Sequence, residues 1–270
     1  MGILISTNLY NTQEFEKIFE LLEKVENPEV GVEIFPIWTD KDFENKLREN
    51  IGKLKEREIS FRGPYYNAEH SAKKGSIAYA RTMDYMKKTL EYAQMLESKY
   101  IVYHHNNRKA LFKDKVDMIK TSNENLMEIN NIAKKYNQKI VIENCGVISN
   151  DNMLLNEQEF IELCRFIPND ILIDIGHANC NGWNLEKIIK KLKFKIVSYH
   201  IHNNYGWIDE HNRIYDGNID FEKFIKIYKR STPDAELVIE YSRNINRDSC
   251  GIVHDINQLE ELLFTEPIAN

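Results

Sequence analysis

Eight short apolar runs alternate with eight segments of helical spacing along this chain, and this alternation limits the folds open to it. Units of a strand followed by a helix favour parallel strands joined by helical crossovers. Eight strands can close a barrel, and 270 residues is near the roughly 250 that such a barrel needs. The predicted strands are Ile3–Thr7, Val30–Phe35, Ile59–Arg62, Tyr100–His104, Lys139–Glu143, Ile171–Asp174, Ile196–His202 and Glu236–Glu240.

No low-complexity tract or linker rich in proline and glycine divides the sequence. We therefore expect residues 1–270 to form a single α/β domain, a (β/α)8 TIM barrel. An open, doubly wound sheet is the alternative, but it would not gather residues from strands 4 to 8 around one point. Side chains that can cap a helix N-terminus mark the predicted helix starts. These are Asn11, Thr39, Asn156, Asn184, Asp220 and Asp255.

Four of the apolar runs end in side chains of the types that commonly bind metal ions. The runs KIVIENCG, ILIDIGHAN, IVSYHIHNN and ELVIEYSR carry Glu143, Asp174, His200 and Glu240. A single strand-end glutamate more often caps a helix or pairs with lysine, but buried charges in succession are costly unless they share a partner. In a barrel these strand ends face one mouth. The set predicts a divalent metal site, with oxygen and nitrogen ligands suited to Mn²⁺, Zn²⁺, Mg²⁺ or Co²⁺.

Composition and charge limit the partners of the chain. It has 42% hydrophobic residues, 29% charged residues and a net charge of −6, which gives no overall attraction to nucleic acid or anionic lipid. No apolar stretch approaches the roughly 20 residues that span a bilayer, so we expect no membrane partner. The chain begins MGILISTNLY, without a basic region or a cleavage site, and we expect a cytoplasmic location.

These motifs give the chain a family resemblance. Through IENC, IDIGHAN, HIHNNYG…DEH and VIEY it resembles the xylose isomerase-like TIM barrels over nearly its whole length. That group includes sugar phosphate isomerases and epimerases, inosose-converting enzymes and the endonuclease IV (AP endonuclease family 2) type of abasic-site nuclease. In its epimerases, residues matching Glu143, Asp174, His200 and Glu240 bind the catalytic metal. The two glutamates flank the substrate carbon and can pass its proton.

Five further residues are candidates for a second metal or for substrate, four of them through the resemblance. The residue matching His177 contacts substrate or a further metal, and in endonuclease IV-like proteins those matching Asp209 and His211 join it. A surface loop with ordinary charges is the alternative for this pair. His104 matches another nuclease ligand. The fifth, His202, lies on the same side of its strand as His200, as a ligand, a substrate contact or a hydrogen-bonded neighbour of the site.

Arg62 departs from the nuclease pattern. In FRGPYYN it stands where those nucleases have a metal-binding histidine, and a guanidinium donates hydrogen bonds but cannot ligate a cation. One of the three nuclease metals should therefore be lost or weakened. Arg62 suits a substrate carboxylate or phosphate, or alternatively an ion pair with Glu33 or Glu143. Aromatic residues predicted at the mouth, where they could stack on a sugar ring, are Tyr65, Tyr66, Trp183, Tyr205 and Trp207.

The resemblance implies a metal-dependent isomerase or epimerase of a sugar, sugar phosphate or inosose-type polyol ketone. Proton transfer by Glu143 and Glu240 would pass through a metal-stabilised enediolate, with one divalent metal and room for a second. The expected partner is a small carbohydrate, and homo-oligomers are common in this group. The alternatives are an endonuclease IV-like phosphodiesterase at abasic DNA, which the acidic balance disfavours, and a non-catalytic barrel that binds sugar or metal. Dehydration of a cyclic polyol ketone would use the same proton abstraction.

Overall fold

The computed structural model describes residues 2–264, and its eight strands form one closed parallel barrel. Each strand pairs with the next, and the first pairs with the last. The predicted (β/α)8 TIM barrel in a single domain is confirmed. The predicted domain ends, Met1 and residues 265–270, lie outside the described residues. The strands are β1 Ile3–Ser6, β2 Gly31–Ile34, β3 Ile59–Arg62, β4 Ile101–Tyr103, β5 Ile140–Glu143, β6 Asp170–Asp174, β7 Ile196–Ile201 and β8 Glu236–Ile239.

Helices follow the strands and cover the outside of the barrel. Three of the predicted starts are confirmed: Asn156 forms a capping box with Glu159, and the side chains of Asn184 and Asp220 accept backbone N–H bonds at their helix starts. The helices are α1 Lys17–Leu22, α2 Phe43–Glu49, α3 Ile51–Leu54, α4 Ile77–Met95, α5 Lys115–Ala133, α6 Glu157–Phe166, α7 Ile175–Cys180, α8 Leu185–Leu192, α9 Phe221–Ser231 and α10 Ser249–Phe264.

Three predicted helix starts differ in the structure. Asn11 caps a short 3-10 turn, Thr12–Glu14, ahead of α1, and α2 begins at Phe43 rather than directly after Thr39. Asp255 was predicted to open the last helix, but that helix begins at Ser249 and Asp255 lies inside it. Its buried carboxylate accepts hydrogen bonds from Arg213 and from the Tyr241 hydroxyl. A side-chain partner elsewhere in the fold, not a helix start, therefore explains this aspartate.

Alternation along the strands separates the outer core from the barrel interior. On β5, Ile140 and Ile142 join the large apolar core between strands and helices, whereas Val141 joins a small cluster inside the barrel. Because strand side chains alternate with a period of two, Glu143 points into the barrel above Val141. The same alternation places Asp174 above Leu172. The interior cluster, which forms an apolar floor below these carboxylates, consists of Tyr100, Val102, Val141 and Leu172, with Val197 packed against it.

Among the helices of residues 2–264, none combines the length and the apolar character that crossing a bilayer requires.

Candidate metal centre

Side chains from four consecutive strand ends meet inside the barrel mouth. His200 Nδ1 lies 3.2 Å from Glu240 Oε2, 3.5 Å from Glu143 Oε1 and 3.9 Å from Asp174 Oδ2. All four side chains are at most 1% exposed. We call these residues the primary set. The structure brings together all four residues that the sequence predicted as metal ligands.

Two carboxylate oxygens of the primary set have no hydrogen-bond partner among the described residues. They are Glu143 Oε1 and Glu240 Oε2, both buried and both close to His200 Nδ1. A buried carboxylate oxygen without a partner is costly, and a bound cation is one way to satisfy it. Ligand atoms of Glu143, Asp174 and His200 all lie within 4.8 Å of one another, and Glu240 adds an oxygen 3.2 Å from His200. Oxygens with one imidazole nitrogen fit a divalent ion.

Glu33 fixes the orientation of His200 from the opposite side. The Nε2–H of His200 donates to Glu33 Oε2 at 3.0 Å, which leaves Nδ1 facing the carboxylates of the primary set. A carboxylate behind a metal-binding imidazole typically orients the ring and raises its basicity. Glu33 is not among the site residues predicted from the sequence, although the run GVEIF carries a carboxylate at a strand end, as the four metal-binding runs do.

Arg62 enters the primary set from β3. Its Nη1 is hydrogen-bonded to Glu143 Oε2 and lies 2.6 Å from His200 Nδ1, and its Nη2 lies 3.5 Å from Glu240 Oε1. Of the two readings of Arg62 from the sequence, the structure contains the ion pair with Glu143. The guanidinium therefore contacts three of the four primary residues.

His104 contacts the same oxygen of Glu143 that Arg62 contacts. Its Nε2 lies 2.9 Å from Glu143 Oε2, and its Nδ1 lies 3.1 Å from the side-chain oxygen of Asn107. Burial opposes ionisation of Glu143, yet Arg62 and His104 outweigh it and hold the pKa of this carboxyl well below its usual range. Glu143 thus stays ionised, with Oε2 paired to Arg62 and His104 and Oε1 facing the primary set.

Asn144 anchors Asp174 through the backbone. Its side-chain N–H donates to the carbonyl of Asp174 at 2.9 Å, and its side-chain oxygen accepts the N–H of Asp174 at 2.7 Å. Asp174 then caps α7, since its Oδ1 accepts the N–H of His177 at 2.7 Å. These bonds fix the junction between β6 and α7 and aim Oδ2 of Asp174 at His200. Asn144 is not among the site residues predicted from the sequence.

A second set of three side chains lies next to the primary set. His177 Nε2 and His211 Nε2 each lie 3.2 Å from Asp209 Oδ2, so His177, Asp209 and His211 converge as predicted. We call them the second set. Nδ1 of His177 donates to the main-chain carbonyl of Asn144 at 3.1 Å, and Nδ1 of His211 donates to that of Glu240 at 2.7 Å. Both rings therefore present Nε2 to the same carboxylate oxygen.

The carboxylates create a negative potential at the second set. Burial lowers the pKa of His211, but Asp209 outweighs it and raises that pKa to about 9. For His177, burial again opposes protonation, and Asp174 and Asp209 hold its pKa well above the ordinary value. A positive charge between these side chains, whether a proton or a metal ion, is accordingly stabilised.

His202 joins the two sets. Its Nε2 lies 3.1 Å and 3.2 Å from the two carboxylate oxygens of Asp174, and its ring stacks on that of His211. The carboxylate of Asp174 lies between His202 and His200. Of the sequence interpretations of His202, the geometry matches a hydrogen-bonded neighbour of the primary set.

A cavity of about 280 Å³ opens above both sets. Tyr65 and Tyr66 line it, as does Phe35, which the sequence analysis did not select. Trp207, predicted to contact substrate, is not on its wall. Asn203 and Asn212 pair across the base of the loop after β7, and this loop carries the 61% exposed side chain of Trp207 into solvent. The polar part of the wall is rich in asparagine: Asn8, Asn106, Asn150 and Asn152.

Comparisons with known proteins agree with this architecture. The model of the family described as "Xylose isomerase-like TIM barrel" matches residues 31–262. The uncharacterized protein MJ1311 of Methanocaldococcus jannaschii is 31% identical over 175 residues, which cover 61% of this chain and 57% of that protein. The match thus spans little more than half the length of this curated relative.

Solved structures resemble the chain over nearly its full length. A D-tagatose 3-epimerase-like protein has a TM-score of 0.76 and 23% identity, with 97% of this chain and 100% of that chain covered. The IolI protein, solved with a binding zinc atom, has a TM-score of 0.74 and 18% identity, with 97% and 98% covered. At these identities, the likeness shows a shared barrel fold.

Proposed function

The chain belongs to the xylose isomerase-like TIM barrel family, and from this premise we propose that it is a metal-dependent isomerase or epimerase. Its substrate would be a sugar, sugar phosphate or inosose-type polyol ketone. The observation that carries the proposal is the convergence of Glu143 Oε1 and Glu240 Oε2 on His200 Nδ1, because neither oxygen has a hydrogen-bond partner among residues 2–264.

Glu143, Asp174, His200 and Glu240 would hold the ion. Their three carboxylates and one imidazole suit Mn²⁺, Zn²⁺, Mg²⁺ or Co²⁺. Such an ion, when bound, would polarise the carbonyl and the adjacent hydroxyl of the substrate and make its α-proton more acidic. Glu33 would support the site by keeping the proton of His200 on Nε2, since Nδ1 must be unprotonated to bind an ion.

The second set supports a further ion or a substrate oxygen. His177 and His211 aim Nε2 at one oxygen of Asp209, and two neutral imidazoles would place their lone pairs against that oxygen. A cation between them removes this repulsion. The buried charges point the same way, because the mouth contains five carboxylates and one arginine: Glu33, Glu143, Asp174, Asp209 and Glu240 with Arg62. A divalent ion at either set would offset part of this negative charge.

Glu143 and Glu240 are the proposed proton carriers. One carboxylate would take the α-proton. The electron pair of that C–H bond would form the carbon–carbon double bond of an enediolate, and the π electrons of the carbonyl would move to its oxygen. In epimerisation a proton returns to the same carbon from the other face and the carbonyl forms again. In isomerisation the proton returns to the neighbouring carbon, and the proton of the adjacent hydroxyl passes to the former carbonyl oxygen. Tyr65, Tyr66 and Phe35 provide aromatic surface above this point, on which a sugar ring could lie.

Solvent deuterium exchange tests this assignment. The purified chain, after metal analysis, is incubated in D₂O with a panel of ketoses, their phosphates and inososes. We expect exchange at the α-carbon of at least one compound and its loss in Glu143→Gln and in Glu240→Gln. Glu236→Gln is the matched control, because Glu236 is a buried strand carboxylate at the opposite end of the barrel. Normal exchange in either site variant would refute the assigned roles.

A phosphodiesterase at abasic DNA is the second candidate, favoured by the second set and by His104 beside Glu143. Arg62 weighs against it, since it occupies the position of a nuclease ligand and already pairs with Glu143. A nicking assay on an abasic duplex separates the two functions. Metal-dependent nicking without exchange would favour the nuclease. Bound metal with neither activity would instead indicate a binding barrel.

A further inference from the structure

Arg62 occupies the space between the ligands of the primary set. It lies at the end of β3, is 4% exposed, and contacts Glu143, His200 and Glu240 through its two terminal nitrogens. We infer that its guanidinium is an internal cation that competes with the metal ion for these three side chains. The inference rests on the proposed function in one respect, namely that the primary set binds a divalent ion.

Arg62 lies where an ion bound by these side chains would have to lie. Its Nη1 is hydrogen-bonded to Glu143 Oε2, and its Nη2 lies 3.5 Å from Glu240 Oε1. Nη1 also lies 2.6 Å from Nδ1 and 3.5 Å from Nε2 of His200, distances that place it against the face of the imidazole. An ion held by Glu143, His200 and Glu240 would need to be within bonding distance of the same three side chains. The guanidinium and the ion therefore cannot occupy this space together.

The permanent positive charge of Arg62 also opposes a bound ion. Arginine does not lose its proton in proteins, so Arg62 cannot become neutral when a divalent ion arrives. Two cations a few ångströms apart in a buried site repel each other strongly. Metal binding therefore requires the guanidinium to move away from the primary set.

The surroundings of Arg62 leave it room to move. Its Nε has no hydrogen-bond partner among the described residues, so no polar contact there anchors the side chain. Arg62 also lines the cavity of about 280 Å³ above the site. In the metal-free chain the guanidinium offsets part of the charge of Glu143 and Glu240, and in the metal-bound chain it turns into this cavity. Arg62 thereby sets the metal affinity of the primary set.

Metal titration of Arg62→Met tests the competition. Calorimetry with Mn²⁺ alone and with Zn²⁺ alone is performed in an Asp209→Ala background, which removes the second set. We expect Arg62→Met to bind the ion about tenfold or more tightly, within the usual range for coupling between two binding events. Arg108→Met is the matched control, because it removes an exposed arginine outside both sets and should leave the affinity unchanged. Unchanged or weaker binding in Arg62→Met would overturn the inference.

Thermal unfolding provides a second readout. Without Arg62, the metal-free mouth has lost its balancing cation, so the melting temperature in chelator should fall and the rise on adding Mn²⁺ should exceed that of the parent. Recovery of folded Arg62→Met only with metal present would support the inference equally. If adding Mn²⁺ raised the melting temperature of Arg62→Met and of the parent by the same amount, the inference would be overturned.

Arg62→Lys covers the case in which the methionine variant does not fold. The ammonium of lysine is a single nitrogen on a flexible stem and lacks the two terminal nitrogens through which the guanidinium spans Glu143 and Glu240, so metal should bind this variant more tightly than the parent. No gain in affinity would overturn the inference. Neither measurement depends on turnover, so loss of the proposed reaction in the exchange assay would leave this result intact. Absence of metal binding in the parent and in both variants would refute the competition itself.

Discussion

The imidazole of His202 lies flat against that of His211, with 3.8 Å between ring centroids and 16° between planes. His202 hydrogen-bonds to Asp174 of the primary set, and His211 contacts Asp209 of the second set. The position of His211 in the second set therefore depends on that of His202 beside the primary set. A displacement of His202 should disturb both its hydrogen bonds to Asp174 and the position of His211.

Gly176 provides the space for this stack. A Cβ at this position would lie 1.9 Å from Cε1 of His202, so Gly176→Ala must push the ring away. We expect a loss of about 1–3 kcal/mol in the free energy of unfolding, as for overpacked cores. We also expect weaker metal binding at the second set. Denaturant unfolding and metal titration measure the two effects.

Gly52→Ala is the control for that change. Gly52 lies in the short helix α3 and a Cβ there would meet no atom within 4 Å, so alanine should be neutral or stabilise by up to about 1 kcal/mol. If Gly176→Ala were as stable as Gly52→Ala and bound metal normally, the stack would have no role in placing His211.

Glu33→Gln tests the support behind His200. The substitution keeps the shape of the side chain and all four primary residues but removes the charge that accepts the Nε2–H at 3.0 Å. We expect metal affinity to fall by about 10–100-fold, as for other residues that orient a metal-binding imidazole. Glu236→Gln, which neutralises a carboxylate at the other end of the barrel, should bind metal like the parent. Equal affinities of the two variants would show that Glu33 does not tune the site.

The barrel could be predicted from the sequence because two periodicities define it. All eight predicted strands exist, and none of their ends differs from the observed end by more than one residue, because apolar alternation gives way to polar turns there. The primary set followed from the same pattern, as strand ends in a barrel share one mouth. Glu33 also lies at the end of an apolar run, GVEIF, and could have been predicted as a site residue on the same ground.

Distances across the barrel could not be predicted from the sequence. Whether Arg62 faces a substrate or Glu143 depends on the separation of β3 and β5, which are not adjacent strands. Trp207 is not on the cavity wall, although Asp209 and His211 of the same loop are. Asp255 resembles a helix cap in sequence, yet Arg213 binds it. The contacts of Arg62 and Asp255 depend on partners far away in the chain.

Asn144→Ala should separate stability from metal binding. Asn144 forms two buried hydrogen bonds with the backbone of Asp174, and each group left unsatisfied costs about 1–3 kcal/mol. Asn169→Ala is a matched control, because its buried amide donates to the carbonyl of Ile140 at 2.8 Å, at the start of β5 and away from the mouth. We expect both variants to lose stability in denaturant but only Asn144→Ala to lose metal affinity. Equal affinities would mean that Asp174 keeps its position without Asn144.

The pH dependence of stability should have a contribution from Glu236. This carboxyl lies at the start of β8 beside Glu58 and Lys99. Burial, reinforced by Glu58, raises its pKa from 4.5 to about 7. The folded chain therefore binds more protons than the unfolded chain between these values. The resulting stabilisation is fully present below the unfolded pKa and is lost as the pH rises through the folded pKa.

Glu236→Gln removes this titration. The free energy of unfolding of the parent, measured relative to this variant, should fall by about 1–3 kcal/mol between about pH 5 and about pH 8. Taking the difference between the two chains cancels the carboxylates and histidines of the mouth, which both chains share. Urea unfolding of both chains at each pH, in chelator, gives the four values required. If the two stabilities changed in parallel with pH, the carboxyl of Glu236 would be ionised in the folded chain across this range, and Lys99 would outweigh its burial.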